Sequence, residues 1–240
     1  FILEKIAENQ YVREILRETG LEEEFVRVGR DVASTMVELF ADLPDELLLN
    51  KGNVGQLLQI KIGLPLDSSL TDFRDGELKT NKSDSKGVSR ETMFITQISK
   101  QIDTLVCEKP KAFESSNLFQ KIRRILFLPV CKDSASHEDW FFVSLIDVNL
   151  DENNYLYSKL KADYFKICGD LKEHIRRSDD GYIHTSNGEF IQIRSKDSKP
   201  YHPIFSETYS RYVSNKNHAF YFKKNFMNFA RQYGNVIKTI

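Results

Sequence analysis

The spacing of apolar residues predicts three helices near the start of the chain. Apolar residues recur at helical spacing over residues 2–19, and Gly20 suits a C-terminal cap. A second helical pattern covers residues 31–43 and stops at a proline. A third begins near Asn53 in NVGQLLQIKIG and ends at Gly63. We therefore predict that the N-terminal part is mainly helical.

Shorter apolar patterns predict strands over much of the remaining chain. The strand candidates are GELKT (76–80), RRILFLPV (123–130), WFFVSLIDVNL (140–150), EFIQIRSK (189–196) and HAFYFKKNF (218–226). One long amphipathic pattern, residues 157–177, predicts a helix. Because strands and helices are interspersed, we predict an α+β fold with a mixed sheet flanked by helices, formed by a single domain over residues 1–240.

The last two strand candidates carry different chemistry on their two faces. Alternation over residues 189–196 places Ile191 and Ile193 on one face, and the opposite face then holds Phe190, Gln192, Arg194 and Lys196. In residues 218–226 the same alternation places Phe220 and Phe222 on the face opposite Tyr221 and Lys223. Both strands are therefore predicted to present polar or cationic groups on one side.

The distribution of charge changes the picture that the net charge of −1 gives. Residues 1–50 hold 12 Asp and Glu against 5 Lys and Arg, whereas residues 191–240 hold 9 Lys and Arg against 2 acidic residues. The basic end is also rich in Tyr and Phe. Cations for phosphates and planar groups for sugars or bases are what a nucleic-acid-binding face requires. A solvated basic surface is the alternative interpretation.

Several protein classes find no support in the sequence. No apolar stretch reaches the roughly 20 residues that a membrane-spanning helix needs, and the first residues lack the pattern of a secretion signal. The cysteines are widely separated at positions 107, 131 and 168, which indicates neither a disulfide framework nor a structural zinc site. We expect a cytoplasmic bacterial protein without a membrane partner. Because the chain starts at Phe1, we expect a fragment of a longer protein.

The segment DFRDGELKT (72–80) holds candidate catalytic chemistry. Glu77 and Lys79 lie two apart on a predicted strand, so their side chains project from the same face. A carboxylate there can bind Mg²⁺ through oxygen, while the lysine orients a metal-bound water or offsets charge on a phosphate. Asp72 or Asp75 could supply a second carboxylate across the turn. The same pattern also describes a solvated acidic turn.

Four segments together resemble the MutH family. They are KGNVGQLLQIKIG (51–63), DFRDGELKT (72–80), GEFIQIRSK (188–196) and AFYFKKNF (219–226), in that order and at similar spacing. The family contains the mismatch-repair nickase MutH and GATC-cutting type II restriction endonucleases of the Sau-three-A-I type. The resemblance covers most of the chain from Lys51 to Phe226. It implies a restriction-endonuclease-like fold, Mg²⁺-dependent hydrolysis of DNA and recognition of double-stranded 5′-GATC-3′.

The resemblance also implies roles for individual residues. Asp72, Glu77 and Lys79 match the catalytic trio, in which the two carboxylates would hold Mg²⁺, and Asp75 is the substitute for Asp72. Lys121 matches a further active-site lysine, or is a surface helix lysine. The recognition residues implied by the motif match are Arg194, Lys196 and Tyr221.

The chemistry of the recognition positions is reasonable without the family. Arg and Lys are natural donors to the O6 and N7 acceptors of guanine in the major groove. Other basic side chains are predicted to contact phosphates and add affinity without selectivity, namely Lys199, Lys216, Lys223 and Lys224. The alternatives are an exposed charged strand face for Arg194 and Lys196, and a half-buried packing role for Tyr221.

Two departures from the family pattern bear on cleavage. The chain has Gln59 where the family's helix ends in a glutamate that helps to organise the metal site, and Gln cannot supply a negative charge. The spacing between Asp72 and Glu77 is also two residues shorter than in MutH. Sau-three-A-I-type enzymes carry two MutH-like domains in one polypeptide, one that cuts and one that binds DNA and activates the other.

We therefore interpret the chain as the regulatory DNA-binding copy in a type II restriction endonuclease. Its expected partners are double-stranded DNA containing GATC and a second MutH-like domain of the same full-length chain, with dimerisation on DNA as a further possibility. One alternative is a catalytically active Mg²⁺-dependent GATC endonuclease or nickase. An alternative of another class is a protein-interaction domain without sequence-specific DNA binding, which would use the acidic N-terminal helices.

Overall fold

The computed structural model of the chain describes residues 53–61, 70–72, 76–135, 139–196 and 199–239. The first two predicted helices, residues 2–19 and 31–43, lie outside the described residues, as does Asp75. Within the described part the helices are α1 (Asn53–Lys61), α2 (Ile102–Val106), α3 (Asn117–Ile122), α4 (Asn154–Arg177) and α5 (Lys224–Tyr233). Short 3₁₀ turns occupy Ser99–Gln101 and Phe113–Ser115.

Eleven strands accompany the helices in the described part of the chain. The first six are β1 (Glu77–Ser83), β2 (Met93–Gln97), β3 (Arg124–Cys131), β4 (Phe141–Phe142), β5 (Ser144–Asn149) and β6 (Ser186–Asn187). The other five are β7 (Ile191–Ser195), β8 (Ile204–Ser206), β9 (Arg211–Ser214), β10 (His218–Phe222) and β11 (Asn235–Thr239).

These elements are divided between two compact units, each assembled from separate stretches of the chain. The first unit takes its described residues from Phe1–Glu91, Arg123–Asn149 and Asn228–Ile240. The second consists of Thr92–Ile122 and Leu150–Met227. Each unit has a sheet of its own, and the prediction of an α+β fold that includes a mixed sheet is confirmed at that level.

The sheet of the first unit is mixed and has the order β1–β3–β5–β11, with β4 also paired to β3. β1 runs parallel to β3, with Glu77 opposite Ile125, and β5 runs antiparallel to β3. All eight residues of β3 are buried, and the seven that follow Arg124 are all apolar, as suits a central strand that is covered on both faces. Pro129 has no N–H, and it lies where the antiparallel partner of β3 changes from β5 to β4.

The main sheet of the second unit is antiparallel, in the order β2–β10–β7–β6. β10 is central, and its five residues are all buried. The long helix α4 packs on β6 and β7 through apolar residues at helical spacing, which include Leu156, Leu160, Ile167 and Leu171. Asn153 caps this helix by accepting a hydrogen bond from the backbone N–H of Leu156 at 3.0 Å. A separate hairpin pairs β8 with β9.

Most of the predicted elements in the described part are confirmed. The helix beginning at Asn53, the long helix and the strands after positions 76, 123 and 189 are all present, and the apolar segment 140–150 forms two strands instead of one. The prediction for residues 218–226 is wrong in its second half, because β10 ends at Phe222 and α5 begins at Lys224. The buried residues Phe226, Met227 and Ala230 follow helical spacing.

The structure also bears on the membrane-spanning helices and the cysteines that were considered in the sequence. Across the described ranges, no helix has both the length and the apolar character that crossing a bilayer requires. The three cysteines are all free thiols, with Cys131 and Cys168 buried and Cys107 partly exposed.

Candidate functional site

The first candidate site lies on β1 in the first unit. Lys79 Nζ donates a hydrogen bond to Glu77 Oε1 at 2.5 Å, so the two side chains share one face as predicted. The side chain of Glu77 is only 2% exposed and that of Lys79 is 17% exposed. A carboxylate removed from water to this degree needs a nearby positive charge, and Lys79 provides it.

Asp72 and Gln59 join this pair. The Gln59 side-chain amide on α1 donates a hydrogen bond to Asp72 Oδ1. Asp72 Oδ2 accepts a hydrogen bond from the backbone N–H of Leu78 at 2.9 Å, and Leu78 stands between Glu77 and Lys79 in β1. The structure therefore brings together the residues that the sequence singled out, and we call Gln59, Asp72, Glu77 and Lys79 the acid–lysine cluster.

Two glycines allow the backbone to approach closely around this cluster. A Cβ atom at Gly55 would lie 3.2 Å from Thr80 Oγ1, so the absence of a side chain lets α1 lie against β1. A Cβ atom at Gly76 would lie 3.0 Å from the carbonyl oxygen of Arg124, next to the parallel pairing of β1 with β3. A small residue directly before Glu77 therefore permits the register that sets the position of its carboxylate.

The acid–lysine cluster contains the type of oxygen ligand that Mg²⁺ binds. This ion prefers oxygen ligands and commonly uses one or two carboxylates together with water and substrate phosphate. Asp72 and Glu77 offer two carboxylates, but Gln59 and Lys79 already donate hydrogen bonds to them. Among the residues that the structure describes, no group of three or more His, Cys, Asp or Glu side chains could hold a metal ion. A metal would therefore compete with the Gln59 amide and the Lys79 ammonium for these oxygens.

Asp75 and Lys121 are the remaining catalytic candidates. Asp75 is not among the described residues. Lys121 lies in the last turn of α3, which belongs to the second unit, whereas the acid–lysine cluster belongs to the first. It is partly exposed, while Leu118, Phe119 and Ile122 on the same helix are buried. Its role as a further active-site lysine stays a prediction.

The second candidate site is the polar side of β7 and β10 in the second unit. Arg194 is exposed, and its guanidinium carbon lies 4.4 Å from the centre of the Tyr221 ring. Phe94 on β2 meets Tyr221 edge to face, with ring centres 5.7 Å apart. Lys196 Nζ lies 5.7 Å from the centre of the Phe94 ring. We call Phe94, Arg194, Lys196 and Tyr221 the basic–aromatic face.

The alternation read from the sequence explains most of this face. Ile191 and Ile193 are fully buried on one side of β7, and Arg194 projects on the other. Tyr221 is more covered than an outward-facing residue would be, at 8% exposure, because Phe94 and Arg194 lie against its ring. Sequence reasoning missed Phe94, although the alternation of MFITQ separates it from the buried Met93 and Ile95.

The four lysines predicted to contact phosphates have different surroundings. Lys199 is exposed, and its Nζ lies 5.9 Å from the Tyr201 ring centre, while Lys216 Nζ lies 5.1 Å from the same ring centre. Lys224 is exposed at the start of α5. Lys223 Nζ donates a hydrogen bond to the carbonyl oxygen of Gly188 at 2.8 Å, so this ammonium already holds a backbone group.

A buried carboxylate that the sequence analysis missed fixes the beginning of β7. Asp163 on α4 accepts hydrogen bonds from three consecutive backbone N–H groups, those of Glu189 at 2.6 Å, Phe190 at 2.7 Å and Ile191 at 3.0 Å. A Cβ atom at Gly188 would collide with this carboxylate. The only sequence signal was the glycine that opens the GEFIQIRSK segment.

The two sites offer different chemistry. The acid–lysine cluster combines carboxylates with an ammonium group, as metal-assisted phosphodiester hydrolysis requires, but Gln59 engages one oxygen of Asp72 and Lys79 engages one oxygen of Glu77. The basic–aromatic face presents a guanidinium and an ammonium group beside aromatic rings, which suits the edges of bases. No protein-family model matches the chain, and a search of curated proteins finds no match either.

Proposed function

We propose that this chain is a DNA-binding domain of a type II restriction endonuclease, that it recognises double-stranded 5′-GATC-3′, and that it regulates a second MutH-like domain that cuts. The observation that carries the proposal is the exposed Arg194, whose guanidinium lies 4.4 Å from the Tyr221 ring centre. The four ordered segments that resemble the MutH family support the choice of sequence. The α+β folding of the chain is compatible with the restriction-endonuclease-like fold that we infer.

The arrangement around Arg194 suits the reading of guanine. An arginine can donate two hydrogen bonds at once to the O6 and N7 atoms of guanine, which is the commonest specific contact in the major groove. Contact with the Tyr221 ring restricts the guanidinium before DNA arrives. Less side-chain freedom is then lost on binding, so more of the hydrogen-bond energy becomes affinity. Lys196, which directly follows β7, supplies a second donor.

The acid–lysine cluster supports a regulatory role over a cutting role. At position 59 the chain places an amide that donates to Asp72, where the family has a third carboxylate. The Lys79 ammonium is likewise engaged with Glu77. A cluster with two carboxylates, both held by internal donors, has a weaker attraction for Mg²⁺ than one with three anions. DNA recognition does not depend on this metal and can persist without it.

A paired binding and cleavage experiment tests the proposal. Matched duplexes with GATC or a scrambled site are compared by gel shift in Ca²⁺ and by cleavage in Mg²⁺. We expect preference for GATC without cleavage. Arg194→Ala should reduce the preference by about 1 to 3 kcal/mol. The control is Arg177→Ala, which removes a highly exposed arginine from the end of α4. Equal affinity for both duplexes would overturn the proposal and favour a protein-interaction domain.

The second candidate function is a Mg²⁺-dependent GATC endonuclease or nickase. It is favoured by the proximity of Asp72 to the Glu77–Lys79 pair through the Leu78 backbone. Under this function the chain alone would nick GATC duplexes in Mg²⁺, and Glu77→Gln would abolish nicking without changing affinity in Ca²⁺. Nicking that survives Glu77→Gln would show a contaminating nuclease and remove this candidate.

A further inference from the structure

A pocket of about 180 Å³ in the second unit has a wall in common with the basic–aromatic face. Lys196 belongs to both. The lining also includes Gln97, Lys199, Tyr201, His202 and Asn217. Its volume is below the range of about 300 to 1,000 Å³ that is typical of sites for drug-sized ligands. The pocket can therefore take a group the size of one base or one phosphate, but not a base pair.

Positive charge surrounds an exposed aromatic ring at this pocket. Tyr201 is 43% exposed, and the ammonium groups of Lys199 and Lys216 lie 5.9 and 5.1 Å from its ring centre. The described lining residues include no carboxylate. Two cations beside a planar surface favour a ligand that combines an anion with a flat ring.

Hydrogen bonds hold other lining residues of the pocket in place. Asn217 Nδ2 donates to Gln97 Oε1 at 2.6 Å, and the backbone oxygen of Asn217 accepts from the N–H of Lys196 at 2.8 Å. Asn217 is 6% exposed, and its Oδ1 atom has no hydrogen-bond partner among the described residues. This oxygen is closed to solvent, so what Asn217 contributes here is its two hydrogen bonds, which fix it beside Gln97 and Lys196.

We propose that this pocket takes the base of one nucleotide of a DNA strand, next to the sequence read by the basic–aromatic face, and that the phosphate of this nucleotide stays at the pocket's edge. The base of that nucleotide stacks on Tyr201, and its phosphate lies by Lys199 and Lys216. The inference rests on the proposed function, because Lys196 links the pocket to the DNA-reading face. A base reaches such a pocket only after it leaves the helical stack, which costs least where it is mispaired.

Binding of matched and mismatched duplexes tests the pocket. Tyr201→Ala should weaken binding to GATC duplex by about 5-fold to 150-fold, the range found when a stacking aromatic is removed, whereas Tyr201→Phe should retain wild-type affinity. A mismatch placed at the base pair beside GATC should tighten binding to the wild type but not to Tyr201→Ala. The matched control is Tyr212→Ala, which removes an exposed tyrosine from β9.

The outcomes separate failure of the pocket from failure of the proposed function. GATC preference with unchanged affinity in Tyr201→Ala would overturn the pocket and leave the DNA-reading face intact. Loss of all preference for GATC in the wild type would refute both. A third arm titrates a deoxynucleoside monophosphate by calorimetry. Binding of this free nucleotide that Tyr201→Ala abolishes, without any effect on duplex binding, would assign the pocket to a free nucleotide and overturn the DNA assignment.

Discussion

The carboxylate of Asp163 is predicted to hold the beginning of the strand that carries Arg194. It accepts hydrogen bonds from three successive N–H groups over residues 189–191. Asp163→Asn keeps the shape of the side chain but replaces one acceptor oxygen with a donor. The asparagine oxygen can turn toward Phe190 and Ile191, and its NH₂ group then faces the N–H of Glu189.

The expected loss of stability in Asp163→Asn follows from these hydrogen bonds. One hydrogen bond to a charged group, worth about 1.5 to 3 kcal/mol, is lost. The two that remain become neutral and lose about half their strength. Because such losses within one network do not add fully, we expect a decrease of about 3 kcal/mol in the free energy of unfolding.

Urea unfolding and hydrogen exchange measure this effect. With a slope of about 3 kcal/mol per molar urea, the midpoint should fall by about 1 M. Amide exchange at residues 189–191 should accelerate more than exchange in the first unit, because the lost bonds are local. Affinity for GATC duplex should also fall, since Arg194 lies on the same strand.

Asp179→Asn provides the control, because Asp179 is an exposed aspartate of the same unit. It should leave both the midpoint and the exchange rates unchanged. An unchanged midpoint and unchanged protection of residues 189–191 in Asp163→Asn would refute the reasoning that this carboxylate anchors β7.

Three further predictions concern other parts of the molecule. Gln59→Glu places a second anion against Asp72, so without metal the variant should have a lower melting temperature than the wild type. Mg²⁺ should then raise the melting temperature of the variant more than that of the wild type. An equal rise in both proteins would contradict this prediction. The Lys161 ammonium and the Tyr157 hydroxyl donate hydrogen bonds to Glu114 and lower the pKa of its carboxyl from 4.5 to about 2. The ionised carboxylate therefore stabilises the folded protein fully above pH 4.5, and this contribution is lost as the pH falls toward 2. In Lys161→Gln the NMR titration midpoint of Glu114 should move back toward 4.5, and an unmoved midpoint would argue against the contact. Burial raises the pKa of the Cys168 thiol to about 12, so a thiol reagent at neutral pH should label the partly exposed Cys107 first and Cys168 only after denaturation; equal rates in the native protein would refute this.

Local patterns were sufficient to predict much of the described fold. The two-residue alternation of the β7 segment predicted which side chains are buried, and the spacing of Glu77 and Lys79 predicted their contact. Both depend on strand geometry over a few residues. The same alternation was misleading after Phe222, where the chain changes from strand to helix within two residues.

Contacts between distant segments could not be predicted in this way. Asp163 lies 26 residues before Glu189 in the sequence, and neither segment alone predicts the hydrogen bond between them. Phe94 reaches Tyr221 only because β2 and β10 are neighbours in the sheet. The contact of Gln59 with Asp72 likewise requires α1 to lie against β1. Each of these contacts depends on tertiary packing rather than on local periodicity.

The interleaving of the two units restricts how the molecule can be dissected. The backbone leaves the first unit after Glu91, returns at Arg123, leaves again after Asn149 and returns at Asn228. No single truncation therefore yields a chain with one unit whole and the other absent. Separate expression of the part bearing Arg194 would need a new linker that joins Thr92–Ile122 to Leu150–Met227 in place of the excised segment.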